Sequence, residues 1–365
     1  MTNQRKFSII KLALIILITA VFLISGTNSL QAGDYVDIVD RAGREIEVPL
    51  NPKRVVAVGP GALRHLMHFD LEEKIVGVEE GEKGDDLYSD YQLSNPRLRE
   101  LPPVGPNHGG DIELIVAQEP DLIIHASDPG EAADLQSKTG IPVVYLNFGD
   151  LYDNRNQMFE DWELIGQIFE KEDRAEEMIN YTEDLITDLS ERTKNIVDNE
   201  KPKVYTGGMS HRGSHGITSV RVPFPPFRFV NANNVAEEEL DFDSVTQTNI
   251  NREQLLQWNP EIIFIDSSNV HLIKEDVMRH AEYSGLDALQ SGNVYTLLPY
   301  ASYRPQTGNI LANAYYIGKI LYPEEFSDIE PVEKAEEITE FFLGKPVFEE
   351  QNEQYPSFQK VDLLN

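Results

Sequence analysis

Short apolar runs alternate with longer segments of mixed polarity along the chain. The runs fall at residues 54–58, 74–78, 121–126, 142–147, 203–208, 261–268 and 293–299. A continuous apolar run of this length is typical of a strand buried on both faces, and its alternation with helical segments predicts a parallel sheet covered by helices. Because the runs form an earlier and a later group, the pattern predicts an α/β fold with two Rossmann-like lobes built on parallel-rich sheets.

The segment between the two groups has a different pattern. Residues 153–197 contain one glycine, Gly166, and no proline. Apolar residues recur there at helical spacing among many charges: Trp162, Ile165, Phe169, Met178, Ile179, Leu185, Ile186 and Leu189. Allowing for a break near residues 170–173, this spacing predicts a single long, rigid helix that joins the lobes and holds them apart. Two more helices are predicted at residues 309–321 and 331–343.

The N-terminus has the pattern of an export signal. Arg5, Lys6 and Lys11 precede an apolar run at residues 12–24, and a polar stretch follows that ends at Ala32. Removal after Ala32 is expected, with a retained membrane anchor as the alternative. The predicted organisation is then a signal peptide at 1–32, a first lobe at 33–152, a connecting helix at 153–199, a second lobe at 200–345 and a loosely packed tail at 346–365.

Composition narrows the class of partner. The formal net charge is -31, from 62 acidic and 31 basic residues, so the surface repels nucleic acid. There is no cysteine. We therefore expect neither disulfides nor a lipid anchor on cysteine, although the chain is exported. The predicted location is periplasmic or otherwise extracytoplasmic, and the expected state is a monomer.

One unit occurs in both halves of the chain. Residues 111–124, DIELIVAQEPDLII, and residues 251–264, NREQLLQWNPEIIF, share a glutamate, six further residues, a proline and then an apolar run. Each unit predicts a short helix ended by a proline that leads into a buried strand. Glu113 and Glu253 hold the same place in the two units. As first-turn helix acids, both would also favour the helix dipole without any other role.

In its order of motifs, the chain resembles the solute-binding proteins of ABC importers for iron–siderophore complexes, haem and vitamin B12. The matching pieces are the hairpin and strand at residues 40–69, KIVGV, the two Glu-x6-Pro units, GIPVVYLN, the connecting helix and SGNVYTLLP. The resemblance implies two α/β lobes with a ligand in the cleft between them. It also implies that Glu113 and Glu253 dock onto arginines of a membrane permease.

Ligands of α/β sheets lie beyond the carboxyl ends of the strands, and the residues at these ends are the candidates for ligand binding. Four glycines after residue 206 let backbone amides approach a ligand closely. Arginines suit the anionic oxygens of a ferric siderophore, and aromatic rings suit flat ligands. The candidates are Arg64, Tyr88, His108, His125, His211, Arg212, His215, Arg221, Arg228, Tyr300, Tyr303 and Arg304. Phe224, Phe227 and Phe229 either join them or fill the core beneath a loop.

Histidines leave a direct metal site open as an alternative. His65, His125, His211 and His271 would meet only if the cleft closed on them, and no tight ligand spacing stands out. The leading hypothesis is a non-enzymatic receptor, without a resident cofactor, for a ferric siderophore. A corrinoid or haem receptor, a metal-ion binder and an exported metalloenzyme remain alternatives.

Overall fold

Fourteen strands and thirteen helices are found in the described part of the chain. The computed structural model describes residues 35–84, 89–209, 215–237, 239–240 and 246–364. The strands are β1 (Tyr35–Val39), β2 (Glu45–Pro49), β3 (Val55–Val58), β4 (Ile75–Gly77), β5 (Leu122–His125), β6 (Val143–Tyr145), β7 (Lys203–Gly207), β8 (Ser219–Val222), β9 (Asn233–Asn234), β10 (Thr246–Asn249), β11 (Ile262–Asp266), β12 (Val294–Leu297), β13 (Ala301–Ser302) and β14 (Arg304–Pro305). The helices are α1 (Ala62–His68), α2 (Asp90–Ser94), α3 (Ile112–Ala117), α4 (Pro129–Thr139), α5 (Arg155–Phe169), α6 (Glu172–Thr193), α7 (Pro225–Phe229), α8 (Arg252–Trp258), α9 (Val270–Arg279), α10 (Asp287–Gln290), α11 (Thr307–Leu321), α12 (Pro331–Leu343) and α13 (Phe348–Gln354).

The first lobe is built on a parallel sheet with the strand order β4-β3-β5-β6. Val55 of β3 lies opposite Leu122 of β5, and Val58 opposite His125, so the two central strands end at the same edge. Every residue of these two strands is buried. Burial on both faces explains why their sequences are continuously apolar rather than alternating. The parallel sheet predicted for the first half is confirmed.

The second lobe repeats this plan in the order β12-β11-β7-β9, again with parallel pairing. The C-terminal residues extend the sheet at its β12 edge. The backbone N–H of Phe358 donates to the carbonyl oxygen of Thr296, and that of Val361 donates to Val294. Tyr295 and Lys360 form an antiparallel bridge. The expectation of a loosely packed tail is therefore wrong, because the sheet edge offers the tail backbone hydrogen-bond partners.

The connecting segment is two helices, α5 and α6, rather than the single long helix expected. Glu170 ends α5 in the left-handed conformation, at φ 55°, and the backbone N–H of Lys171 donates to the carbonyl oxygen of Gly166 at 2.8 Å. A left-handed residue at this place stops a helix. A Cβ atom placed on Gly166 would lie 3.2 Å from the Cβ of Ala175, so the second helix packs against the end of the first. The break falls within the range predicted for it.

A shared apolar core joins the lobes. One continuous cluster of buried residues includes Val55 and Leu122 of the first sheet, Trp162 of α5, and Phe264 and Leu297 of the second sheet. From Val36 onward the chain forms one compact unit. Residues of both connecting helices, among them Ile165 of α5 and Met178 of α6, belong to the same core, so the helices and the two sheets pack together. The described residues include no helix that is long and apolar enough to cross a bilayer, and the predicted signal peptide lies outside them.

Candidate functional site

The hairpin of β13 and β14 lies against the loops that follow the strands of the first lobe. It comes directly after β12 of the second lobe, yet its contacts are with residues more than two hundred positions earlier in the chain. The junction between the lobes is thus the place where the carboxyl ends of strands from both sheets come together. This is the region that sequence analysis predicted for a ligand.

Arg64 of α1 anchors this hairpin. Its guanidinium donates to the carbonyl oxygens of Ser302 at 2.7 Å, Pro305 at 3.0 Å and Arg304 at 3.1 Å. Its Nε lies 3.5 Å from a carboxylate oxygen of Asp90, and both side chains are buried. These contacts give Arg64 a structural role at the junction, in addition to its predicted place beside the ligand.

Glu79 is the central acceptor of the junction. Its Oε1 accepts hydrogen bonds from the backbone N–H groups of Gly59 at 3.1 Å and Gly109 at 2.8 Å, and its Oε2 accepts from the Tyr303 hydroxyl at 2.9 Å. Burial raises the pKa of the Glu79 carboxyl, and the hydrogen bonds oppose that rise. The same hydroxyl accepts from the backbone N–H of His108 at 2.6 Å. One carboxylate therefore connects two loops of the first lobe with the tip of the hairpin.

Below the hairpin lies a small cavity of about 30 Å³. Its lining comes from both lobes: Gly61, Arg64, His65, Phe148, Gly149, Asp150, Leu151, Met158, Arg304, Pro305, Thr307 and Ile310. Gly61 has φ 86°, and a Cβ atom there would lie 2.7 Å from the Phe148 ring, so only glycine fits this wall. The space holds a few small atoms, whereas pockets for larger organic ligands run to several hundred Å³.

Arg304 lines this cavity, and no acidic side chain of the described residues forms an ion pair with it. We call such a cation uncompensated. Its guanidinium carbon lies 5.3 Å from the centre of the Phe148 ring, and the described residues offer the guanidinium no hydrogen bond or ion pair. Arg304 is exposed as a residue, and its guanidinium is partly desolvated by its neighbours. This desolvation lowers its pKa, and the positive charges of Arg64 and Arg221 act in the same direction while Tyr145 opposes them. Such a group favours an anion as its missing partner.

The remaining arginines and tyrosines that were predicted to bind the ligand have different surroundings from Arg304. Arg221 on β8 lies over the Tyr300 ring, at 4.7 Å, and Tyr300 is buried against Phe224. Burial raises the pKa of Tyr300 to about 12. Arg228 is exposed and forms a surface ion pair with Glu237 at 2.6 Å. Phe224, Phe227 and Phe229 are all buried in the core, as the second of the two readings proposed.

The histidines are scattered rather than clustered. His108 is exposed beside Tyr303, His125 is buried at the end of β5, and His215 is half-buried. Burial lowers the pKa of His125 to about 4. His271 is exposed on α9. The described residues contain no group of three or more histidine or acidic side chains placed to hold a metal ion. Tyr88, His211 and Arg212 lie outside the described residues.

The two glutamates of the repeated unit are both exposed in the first turn of a helix. Asp111 caps α3 through the backbone N–H groups of Glu113 and Leu114, and Asn251 with Gln254 forms a capping box on α8. Neither Glu113 nor Glu253 forms an ion pair within the described part of the chain. Glu113 lies among three exposed aliphatic side chains, Ile112, Leu114 and Val116, whose exposed fractions are 36%, 41% and 43%.

Sequence reasoning missed Glu79. It stands in the acidic stretch EEGEKGDD, where nothing distinguishes it from its neighbours. A signal was nevertheless present, because the residue directly follows the strand KIVGV, and strand ends were the rule by which the other candidates were chosen.

Comparisons with known proteins place the chain among solute-binding proteins. The model of the family described as periplasmic binding protein matches residues 55–301. The petrobactin-binding protein YclQ of Bacillus subtilis is 23% identical over 269 residues, which cover 69% of this chain and 76% of that protein. The ABC transporter substrate-binding lipoprotein YvrC of Bacillus subtilis, described as uncharacterised, is 20% identical over 297 residues. These residues cover 80% of this chain and 87% of that protein.

A solved structure shows the same fold. The molybdate-binding protein MolA of Haemophilus influenzae, bound to molybdate, superposes with a TM-score of 0.68 at 19% identity, over 85% of this chain and 98% of that one.

Proposed function

The chain belongs to the periplasmic binding protein family, the solute-binding receptors of ABC importers, and we propose that its solute is a negatively charged ferric siderophore. It would capture this chelate between the lobes outside the cytoplasmic membrane and deliver it to a permease. The family membership accounts for the two parallel sheets and the junction between them. The identity of the solute is inferred from the charges at that junction.

The observation that carries the proposal is the position of Arg304. In a chain of net charge -31, an arginine is expected to find a carboxylate partner easily, yet Arg304 has none among the described residues. Arg221 and Arg64 lie near enough to depress its pKa. An anionic ligand that enters the junction would be attracted to the positive charge gathered there. The petrobactin-binding relative YclQ is consistent with a siderophore as that anion.

A second candidate is a small oxyanion. The cavity of about 30 Å³ is lined by Arg64 and Arg304 and suits a compact ion without any rearrangement, whereas a siderophore requires the junction to open. The structural neighbour MolA is bound to such an ion, molybdate. The two candidates share the arginines and differ in size.

Calorimetric titration of the chain without its predicted signal peptide separates these candidates. A ferric tris-catecholate complex is a triply negative probe, and a ferric trihydroxamate complex of similar size is its neutral control. Molybdate, haem and cobalamin complete the panel. Binding of the catecholate complex in preference to the neutral complex supports the siderophore proposal. Binding of molybdate alone favours the oxyanion, binding of haem or cobalamin favours those receptors, and no binding of either ferric complex rejects the siderophore.

To deliver its solute, the protein needs a surface that binds the permease. We place this surface at Glu113 and Glu253, because both carboxylates are exposed and each occupies the same position in one lobe. The shared core limits the movement of the lobes, so the two carboxylates would meet two cations of a partner at a similar spacing with and without the solute.

A further inference from the structure

We propose that Tyr303 is a gate between the lobes, which is closed by its hydrogen bond to Glu79 and opened when an anionic oxygen of the ligand takes the place of that carboxylate. The inference rests on the proposed function and adds the step by which a large chelate enters the junction. It depends on four features of the β13–β14 hairpin.

First, the base of the hairpin is fixed. Arg64 binds three of its carbonyl oxygens from a buried position. The hydroxyl of Ser89 donates to that of Ser302 at 2.5 Å, and the backbone N–H of Asp90 donates to Gln306 at 2.9 Å. Buried bonds of this kind are costly to break, because they leave polar groups without partners. The base of the hairpin therefore stays on the first lobe when the junction opens.

Second, the polar contacts of the tip depend on one hydroxyl group. Tyr303 has a φ of 60°, a conformation that is uncommon for a bulky residue, and it is half-buried. Its hydroxyl bonds both the Glu79 carboxylate and the backbone N–H of His108, while its ring lies against the exposed His108 ring. Loss of the two hydrogen bonds would leave the ring with this exposed contact, so the side chain could turn away while the backbone stays in place.

Third, Glu79 tolerates this loss. When Tyr303 leaves, its carboxylate keeps the two backbone donors Gly59 and Gly109, so the charge is never left without a partner. A buried carboxylate with no donor would be costly, and a gate built on one would stay shut. Breaking the hydrogen bond between Tyr303 and Glu79 therefore leaves the Glu79 carboxylate with two hydrogen-bond donors. The group of the first lobe that loses its partner is the backbone N–H of His108.

Fourth, the tip carries two groups that suit one ligand. Tyr303 offers a hydroxyl donor and Arg304, the next residue, an uncompensated guanidinium. An anionic, oxygen-rich chelate accepts from both. The ligand thus competes with Glu79 for the hydroxyl while it binds the neighbouring cation. The cavity of about 30 Å³ beside Arg304 is too small for such a chelate, so the chelate has to be held in a junction that opens beyond this cavity.

The test compares the variants Tyr303→Phe and Tyr316→Phe. The first removes only the hydroxyl of the gate. The second is the control, since the described residues offer the Tyr316 hydroxyl no hydrogen bond and its ring stacks on Phe358 in the core. Hydrogen–deuterium exchange of the peptide spanning residues 104–111 is measured without ligand. We expect the His108 amide to exchange about tenfold faster in Tyr303→Phe, as for loss of one typical hydrogen bond, and at the wild-type rate in the control.

Stopped-flow mixing with the ferric tris-catecholate complex tests the opening itself. A gate that must open predicts an association rate constant several-fold higher in Tyr303→Phe than in the wild type. Unchanged exchange in residues 104–111, or slower association of the complex, overturns the proposal. If no ferric complex binds the wild type, the proposed solute fails and the exchange experiment alone decides whether the gate exists. Glu79→Gln provides a second variant that weakens the same bond from the other side.

Discussion

The indole Nε1 of Trp162 donates a hydrogen bond of 2.9 Å to Nδ1 of His65 within the core that the two lobes share. Because an indole N–H can only donate, Nδ1 of His65 carries no proton. The neutral ring must then hold its proton on Nε2. His68, one turn further along α1, is buried beside the same indole and packs against Phe342. The core of this protein therefore contains two uncharged histidines.

These histidines predict a stability that falls in acid. Burial lowers the pKa of His65 to about 3 and that of His68 well below its usual value, and neighbouring cations act in the same direction. The unfolded chain takes up protons below pH 6.5 while the folded chain does not, so each histidine removes stability as the pH falls from 6.5 toward its folded pKa. The loss is about 1.4 kcal/mol per pH unit for each of them.

The variant His68→Phe isolates one of the two contributions. We expect its free energy of unfolding in urea to fall less steeply between pH 6.5 and pH 5 than that of the wild type, by about 1.1 kcal/mol per unit on average, because the unfolded histidine is half protonated at pH 6.5. Buried acids with raised pKa values, such as Asp161 at about 6, act in the opposite direction in both proteins and cancel in the comparison. The control His271→Gln, at an exposed position, should keep the wild-type slope. An unaltered slope in His68→Phe would contradict the neutral state of His68.

Arg304→Gln should weaken binding of the ferric tris-catecholate complex. The change removes the uncompensated cation from the junction and replaces it with a shorter, uncharged polar side chain. Loss of one hydrogen bond to a charged group predicts a dissociation constant about 10- to 100-fold larger. Arg279→Gln makes the same charge change at an exposed position on α9 and should bind like the wild type. Calorimetry measures both, and equal affinities would remove Arg304 from the binding site.

Arg64→Met should destabilise the junction. The methionine preserves much of the buried volume but leaves three carbonyl oxygens of the hairpin without their donor and Asp90 without its cation. Removing one partner of a buried charged pair predicts a loss of about 3 kcal/mol in the free energy of unfolding. Urea denaturation followed by circular dichroism measures it. A loss below about 1 kcal/mol, as is typical of a surface ion pair, would mean that the hairpin is held elsewhere.

The double charge reversal Glu113→Arg and Glu253→Arg should impair delivery without affecting capture. Both carboxylates lie far along the sequence from the arginines of the junction and are exposed, so affinity for the ferric complex should not change. Stimulation of ATP hydrolysis by the cognate importer in nanodiscs should fall at least about tenfold, since opposed cations repel. Reversal of Glu163 and Glu176, two exposed helix acids, is the control. Full stimulation by the first pair would reject the docking surface.

The exposed aliphatic residues beside Glu113 sharpen that experiment. Leu114→Ser keeps the charge and removes one apolar side chain from α3. If the partner covers this helix, stimulation of the importer should fall in Leu114→Ser even though Glu113 is intact. An unchanged response would limit the contact on this lobe to the carboxylate.

Structural features that depend only on residues close together in the sequence were predictable. The parallel sheets follow from apolar runs such as VVAV and LIIH, and the first-turn positions of Glu113 and Glu253 follow from the short helix that each Glu-x6-Pro unit predicts. Features that depend on distant partners were not. Glu79 gains its meaning from Tyr303, 224 positions later. The sequence also does not distinguish Arg64 from Arg304. The guanidinium of Arg64 donates to carbonyl oxygens of the hairpin, whereas that of Arg304 has no such partner among the described residues.

The break between α5 and α6 shows the same limit. A glycine at position 166 is an ordinary helix residue as far as the sequence shows, and the crowding there is due to Ala175, Glu172 and Lys171, each 3.2 Å from a Cβ atom placed on it. The predicted single helix is two helices, and both pack into a core that also includes residues of both sheets. Periodicity along one segment carries no information about what that segment packs against.

The pairing of residues 358–361 with β12 covers one edge of the second sheet. A ribosome adds those residues after every strand of that sheet, so this edge stays open until they have emerged. An open edge is a template for strands of other molecules, and a product that stops before residue 358 would therefore self-associate. A segment that forms no strand of its own thus protects the sheet from pairing with other chains.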